Sequence, residues 1–304
     1  MSLARDLAGR TMVVTGANAG LGYFAAEQLA ARGAHIVIAS RSETKAHSAI
    51  ASLRTHVRAL VPPTFVHLDL ADLASVSRAA SELTTMGPID AVITNAGVLE
   101  GSAAGRTRDG FETMFGTNHL GHFALVALLL PALRASPGSR VVHLGSISHR
   151  FYALDLDDPQ QQRRFTSFRA YARSKLAVMT FAFELDLRLK AAGLDVRSIV
   201  AHPGFAVDQL TPTRRGVTPV EPGGTTLKTV LRTVSQGKDS GAEPIVFAAT
   251  DDYLRGGEYV GPAGWQQLRG RPRVTAAKDW SRDRATAARL WAISETLTGT
   301  SIAL

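Results

Sequence analysis

The sequence predicts an α/β protein: a doubly wound, mostly parallel sheet with helices on both faces, folded as a single domain over residues 1–304. Three observations carry this prediction. Short β-branched runs alternate with helical patterns along most of the chain. The run His35 to Ala39 (HIVIA) is continuously apolar, as a parallel strand covered on both faces must be. No linker rich in Ser, Gly or Pro divides the chain into two cores. Repeated βα units require right-handed crossovers, which lead to an open sheet between two helical layers.

The first strand, Thr11 to Thr15, ends at Gly16, where a glycine-rich turn opens a helical pattern from Leu21 to Arg32 that Gly33 terminates. After the strand His35 to Ala39, Ser42 caps a helix to about Arg58. A strand over Thr64 to Leu68 and a helix over Leu73 to Thr85, behind the cap Asp72, come next. They are followed by a strand at Ala91 to Asn95 and a long helix from about Gly110 to Leu133. Strand Arg140 to Leu144, helix Phe168 to Ala191 ending at Gly193, strand Asp195 to Ala201, helix Gly223 to Val234 and strand Glu258 to Gly261 complete the series. A substrate loop is expected over about 205–222, and a loop-rich extension over about 262–304.

Composition excludes several chemistries. With no cysteine there is no disulfide, thiol nucleophile, Cys zinc site or iron–sulfur cluster. The net charge is +8, but the 34 basic residues are dispersed and form no nucleic-acid motif. The expectation is a solvated basic surface without a nucleic-acid partner, whose field favours anionic small molecules. The longest apolar stretch, Phe123 to Leu133, is eleven residues and contains Pro131. That is short of the roughly 20 a membrane-spanning helix needs. Met1 to Arg10 offers no apolar run resembling a secretory signal. A cytoplasmic protein without a membrane span is expected.

Three local features point toward chemistry. The first is Thr15-Gly16-Ala17-Asn18-Ala19-Gly20-Leu21-Gly22, between a strand and a helix. There Gly16 can make the tight turn while Gly20 and Gly22 let the backbone approach a diphosphate at the helix N-terminus. A purely structural turn would explain two of these glycines. A P-loop is ruled out because Gly22 is followed by Tyr23-Phe24. The second feature is Ala39-Ser40-Arg41-Ser42, where an NAD site normally carries a carboxylate for the adenosine ribose. With Arg41 there instead, the position suits the 2′-phosphate of NADP (NADPH) better than NAD, unless Arg41 is simply a surface residue. The third is Tyr171 with Lys175, one turn apart on a helix. A phenol with an ordinary pKa near 10 needs a neighbouring cation to exchange protons at neutral pH.

Other clusters are weaker. His119 and His122 lack a third ligand at metal-site spacing, so a structural role is expected and no metal. Gly145-Ser146-Ile147-Ser148-His149 is not the G-x-S-x-G of a hydrolase. Turn chemistry accounts for Asp155, Asp157 and Asp158 before Pro159.

In this order the features resemble the short-chain dehydrogenase/reductase family, a Rossmann-type fold, from about Thr11 to Gly261. The family's glycine motif matches Thr15 to Gly22 and the Asp after its third strand matches Asp69, followed by Leu70. Its Asn-Ala-Gly motif matches Asn95-Ala96-Gly97, with Thr94 where a second Asn is frequent. The Asn of its catalytic set falls on Asn118, its Ser on Ser146, its Tyr-x-x-x-Lys pair on Tyr171 and Lys175, and its Pro-Gly on Pro203-Gly204. The run Asp109 to Phe123 and the 25-residue separation of Ser146 from Tyr171 look like the retinol-dehydrogenase-like branch, near the protochlorophyllide reductases.

The resemblance implies hydride transfer between a nicotinamide and a carbonyl or alcohol carbon. Catalytic residues would be Asn118, Ser146, Tyr171 and Lys175, with Tyr171 as general acid/base, Lys175 lowering its pKa and Asn118 holding a relay water. Cofactor-binding residues would be Gly16, Asn18, Ala19, Gly20, Leu21, Gly22, Arg41, Asp69, Leu70, Asn95, Ala96, Gly97, Tyr171, Lys175, Pro203 and Gly204. Related proteins pair through the long helices that would carry Asn118 and Tyr171, which implies a homodimer or homotetramer. Two departures stand out: Gly145 replaces a common Ser, and Asp208 stands where a Thr usually touches the cofactor. A carboxylate at position 208 could accept from the nicotinamide carboxamide N–H, yet it would repel the diphosphate. Phe205, Val207, Leu210, Val217 and Val220 fit an apolar lid for a lipophilic small molecule, or simple packing. A catalytically silent dinucleotide-binding regulator is the alternative reading.

Overall fold

The computed structural model describes residues 6–59, 61–99, 104–218 and 233–304. Strands β1 (Thr11–Thr15), β2 (His35–Ser40), β3 (Thr64–His67), β4 (Ala91–Thr94), β5 (Ser139–Leu144), β6 (Val196–Ala201), β7 (Tyr259–Pro262) and β8 (Pro272–Thr275) form one sheet. Its order is β3-β2-β1-β4-β5-β6-β7-β8. Every pairing is parallel except β7 with β8. Chain direction across the sheet therefore reverses between β1 and β4. That switch point opens a crevice beyond the strands' C-terminal ends, where ligands bind in open α/β sheets.

Because side chains alternate across a strand, each strand feeds two cores. Met12 and Val14 of β1, with Ile36 and Ile38 of β2, pack under α1 (Gly20–Ala31) and α2 (Glu43–His56). Val13, Val37 and Ala39 point the other way, toward α3 (Leu73–Thr85) and α4 (Gly121–Arg134). Two caps set helix starts: Ser42 Oγ accepts from Lys45 N at 3.4 Å, and Asp72 Oδ1 from Ala74 N at 2.9 Å. The layers are completed by α5 (Ser167–Ala191) on the α4 side and by α6 (Lys238–Thr250), which packs against α1.

Several expectations need correction. The helix expected from about Gly110 starts later, as a π-helical turn at Phe115–Leu120 that runs into α4. Together they make a 20-residue apolar helix, long enough to cross a membrane, but it is buried inside the fold. Polar Thr117 to His119 interrupt the apolar run and hid that length. The helix expected at Gly223 to Val234 lies almost wholly outside the described residues, as does Val220. α6 was not anticipated because Gly241 and Pro244 break its pattern.

The extension over 262–304 is not loop-rich. It carries β8 and a helix, α7 (Arg284–Thr298), whose Ala287, Leu290, Trp291 and Ser294 form one buried stripe. Trp291 meets Phe123 of α4 and Phe181 of α5 edge-on and tilted, at 5.7 and 5.6 Å between centroids. The lid expectation also changes. Val217 belongs to the core beside α1 and α2, and Arg214 holds Glu27 of α1 through two contacts of 2.7 and 2.8 Å.

Candidate active site

The crevice beyond β1 and β4 is a cleft of about 500 Å³. Its floor is the turn from β1 into α1. Gly16 (φ 69°) and Gly20 (φ 59°) adopt the left-handed conformation that favours glycine. A Cβ on Gly16 would lie 3.0 Å from Ala96 Cβ, and one on Gly22 would lie 2.8 Å from the Gly16 carbonyl oxygen. The backbone is thus pressed tight against the loop after β4. That loop is tied back by Asn95 Nδ2, which donates to Thr15 O at 2.8 Å, and by Ala96 N, which donates to Thr15 Oγ1 at 2.9 Å. No side chain caps the start of α1, so its first N–H groups remain available to an anion.

Asn18, Ala19, Gly20 and Leu21 line this floor, and Asn95, Ala96 and Gly97 line the wall opposite. Asp69 and Leu70 line the cleft after β3, where Asp69 Oδ1 accepts from Ala71 N at 3.0 Å. Three of the expected cofactor residues are not at its surface. Gly22 packs beneath the turn. Pro203 and Gly204 face the C-terminal segment: Gly204 (φ 67°) donates to His202 Nδ1 at 3.2 Å, and a Cβ there would press on the Leu268 carbonyl.

The buried hydroxyls of Ser40 and Thr117 line the cleft and lack a protein partner. Orphaned polar atoms, close-packed glycines and an uncapped helix start together fit a dinucleotide: α1 for the diphosphate and Ser40 to Lys45 for the adenosine side. At that adenosine end Arg41 and Lys45 are exposed and make no ion pair among the described residues.

At the other end, the four expected catalytic side chains come together. The Ser146 hydroxyl lies beside the Tyr171 phenol, where it favours the ionised form. Ser146 begins a short 3-10 turn, accepting from Ser148 N at 3.2 Å, and Tyr171 and Lys175 project from α5 into the cleft. Lys175 is 4% exposed, and its Nζ donates to Leu144 O at 3.0 Å. Burial lowers its pKa to about 8. Asn118 lies in the π-helical turn behind Gly97; its Oδ1 accepts from Val98 N at 2.7 Å, and its Nδ2 donates to Val98 O at 3.1 Å and Ser174 Oγ at 2.9 Å. That side chain is therefore fully engaged by protein partners, and the expectation that it holds a relay water finds no free donor on it.

One expectation about this group is reversed. Burial pushes the Tyr171 phenol above its ordinary pKa, partly opposed by the Ser146 hydroxyl. Lys175 is itself desolvated and bonded to the Leu144 carbonyl, and burial of the ring sets the direction of the phenol's shift.

Supporting residues escaped the sequence reading. His122 is held neutral by burial, with a pKa of about 4, so its Nδ1–H donates to Asn118 O and its Nε2 accepts from Thr15 Oγ1, both at 2.9 Å. It thereby joins the glycine turn to Asn118. His149 links the Ser146 turn to the C-terminal segment: Nδ1 donates to Ser146 O at 2.7 Å, and Nε2 accepts from Lys278 N at 3.3 Å. His119 bonds Ser294 of α7 at 2.8 Å. Among the described residues, no group of three His, Asp or Glu side chains could hold a metal. Gly145 has a packing reason, since a Cβ would lie 2.8 Å from Val200 Cγ1 and 3.1 Å from Met179 Sδ. Lys45 and Lys238 also line the cleft. For Lys45 the signal was present: it stands four residues after Arg41, at the start of α2.

Comparison with known proteins agrees with this geometry. The short chain dehydrogenase family model matches residues 10–215. Retinol dehydrogenase 13 of Homo sapiens is 36% identical over 300 residues, covering 96% of this chain and 85% of that protein. Polyprenol dehydrogenase of Mus musculus is 37% identical over 302 residues, covering 96% and 84%. A crystal structure of an uncharacterized protein from Mycobacterium paratuberculosis covers 100% of each chain, with 37% identity and a TM-score of 0.79.

Proposed function

The chain belongs to the short-chain dehydrogenase family, in its retinol-dehydrogenase-like branch, and from that membership we propose an NADP(H)-dependent oxidoreductase in which Tyr171 transfers the proton to or from a carbonyl or alcohol oxygen. The observation that carries this reading is the Ser146–Tyr171 hydroxyl pair beside buried Lys175, on the wall of a glycine-floored cleft. When bound, the nicotinamide supplies or accepts the hydride. Ser146 and Tyr171 would both turn their hydroxyls to the substrate oxygen, orienting it and stabilising the charge that develops there. Because burial keeps the phenol protonated at neutral pH, Tyr171 is set up as the acid of carbonyl reduction. Lys175, whose pKa of about 8 lies near ambient pH, would restore that proton.

Preference for NADP rests on the end of β2, where Arg41 and Lys45 stand without acidic partners among the described residues. A phosphate on the adenosine ribose would meet both cations, one of them capable of bidentate contact. Fluorescence titration is expected to show NADPH binding at least tenfold tighter than NADH. Replacing Arg41 and Lys45 together with Ala should abolish that difference by weakening NADPH, leaving NADH within about twofold; each lost charge-assisted contact is worth about 1.5–3 kcal/mol. Tighter binding of NADH by the wild type would refute the preference.

A lipophilic substrate is supported by exposed apolar side chains: Leu99 on the cleft wall, and Phe151 and Phe168, which stand five residues after Ser146 and three before Tyr171 in the sequence and pair their rings 5.6 Å apart. The names of the retinol and polyprenol relatives point the same way.

As to assembly, pairing through α4 and α5 is disfavoured because every residue from Phe115 to Ala127 and from Ser174 to Asp186 is already buried within one chain. A monomer is the expected form in place of the homodimer or homotetramer implied by the resemblance. Sedimentation at the mass of two or four chains would contradict it.

A further inference from the structure

Asp208 is the departure that the dinucleotide reading leaves unexplained, and the fold answers it with a residue 30 positions further on in the sequence. Lys238 Nζ contacts both carboxylate oxygens of Asp208, at 2.6 and 2.7 Å. The same ammonium lies 3.6 Å from where a Cβ on Gly20 would be, directly at the turn that opens α1. Both side chains are partly exposed, at 24% and 31%, so the pair sits at the rim of the cleft and not in the core.

The surrounding backbone is built to hold this position. Lys238 N donates to Thr211 Oγ1 at 2.9 Å, and Thr211 Oγ1 in turn donates to Val207 O at 2.7 Å, latching α6 to the segment that carries Asp208. Gly237 allows close approach, since a Cβ there would lie 2.6 Å from the Leu210 carbonyl oxygen. Gly241, on the same turn of α6 as Lys238, lets Leu21 and Ala206 pack within 2.9 Å and 2.8 Å of its Cβ position. Glycine turn, Asp208 segment and α6 therefore meet at one point.

Electrostatics gives that point a purpose. Lys238 is the first residue of α6 and lies beside the start of α1, two helix N-termini whose dipoles disfavour a cation. Asp208 compensates part of this. An ammonium has three donors, and two engaged with one carboxylate leave a third for an anion over Gly20.

Resting on the dinucleotide reading of the cleft, we propose that Lys238, positioned by Asp208, is a diphosphate-binding residue that replaces the contact usually made by a Thr at position 208. The pair converts a carboxylate that would repel the diphosphate into a support for the cation that grips it.

The test is fluorescence titration of the full chain with NADPH, alongside displacement by adenosine 2′-monophosphate, which has the 2′-phosphate but no phosphate at the 5′ position, and a melting curve for each protein. Lys238→Ala is expected to weaken NADPH binding about tenfold or more and adenosine 2′-monophosphate binding less than twofold. The exchanged double variant Asp208→Lys with Lys238→Asp keeps an ion pair but turns the carboxylate toward Gly20. It should melt close to the wild type and bind NADPH no better than Lys238→Ala. Wild-type affinity in either variant, or equal weakening of both ligands in Lys238→Ala, would show a merely structural pair and overturn the proposal. Failure of the wild type to bind NADPH or NADH at all would instead remove the dinucleotide reading on which it rests.

Discussion

Replacing Tyr171 with Phe is expected to lower turnover about a thousandfold, within the 10²–10⁴ range attributed to a positioned general acid. The ring's packing would survive, and the loss would be confined to the hydroxyl that lies beside Ser146. NADPH should still bind within about threefold of the wild type, because the glycine turn, the loop after β4 and the Arg41–Lys45 end are untouched. That split separates chemistry from binding: a fall in kcat with little change in cofactor affinity is what removal of a transition-state contact produces. Full turnover in the Phe variant would dismiss Tyr171 as the acid. A wild type that binds NADPH but turns over no carbonyl in a broad lipophilic panel would favour the catalytically silent alternative.

The pH dependence follows from the same geometry. Burial holds the phenol above its ordinary pKa, so reduction should be flat through neutrality and fall as Lys175 loses its proton near pH 8. Oxidation needs the opposite protonation state and should rise over that range. Parallel profiles in the two directions would mean that another group titrates.

The parts of the site legible in the sequence are those in which chemistry and local structure share one short segment. Thr15 to Gly22 is readable because its glycines occupy backbone positions that a Cβ would block. Tyr171 and Lys175 are readable because helical spacing alone puts them on one face. Asn118 is readable as a position but not as a state, since the π-helical turn that commits its side chain to Val98 and Ser174 leaves no local pattern. The sign of the Tyr171 shift was misjudged for a related reason: charge neighbours can be read from spacing, whereas desolvation depends on everything packed around the ring. Lys238 was invisible because nothing in a lone Lys after Gly237 says that it reaches Gly20. α7 was in principle visible, its buried stripe at 287, 290, 291 and 294 following helical spacing, but polar residues between them dilute the pattern.

Lys175 gives the second large effect, and its sign is the unusual part. Its pKa of about 8 in the folded chain, against 10.5 for an exposed lysine, means that the fold disfavours the charged form. At about 1.36 kcal/mol per unit, the buried ammonium costs roughly 3 kcal/mol at neutral pH. Below pH 8 both folded and unfolded chains hold the proton and the penalty is complete. Between about pH 8 and 10.5 the unfolded chain binds the extra proton, so stability rises with pH and the penalty fades.

Lys175→Met removes this ammonium but leaves the Leu144 carbonyl without its donor, which offsets about 1–3 kcal/mol of the gain. The cofactor-free variant is therefore expected to be more stable than the wild type at pH 7, by up to about 2 kcal/mol, and to lose that advantage by pH 10. Denaturant unfolding of both proteins at the two pH values measures the difference, in which the titration of all other groups cancels. Turnover should meanwhile fall by about a hundredfold or more. NADPH at one excess concentration should raise the melting temperature of the wild type more than that of the variant, because stabilisation grows with the logarithm of the ligand's affinity for the folded state. A variant less stable than the wild type at pH 7, or equally stabilised by NADPH, would show that Lys175 serves packing. The predicted outcome places Lys175 among groups whose burial weakens the empty fold and whose interactions are completed only when the cleft is filled.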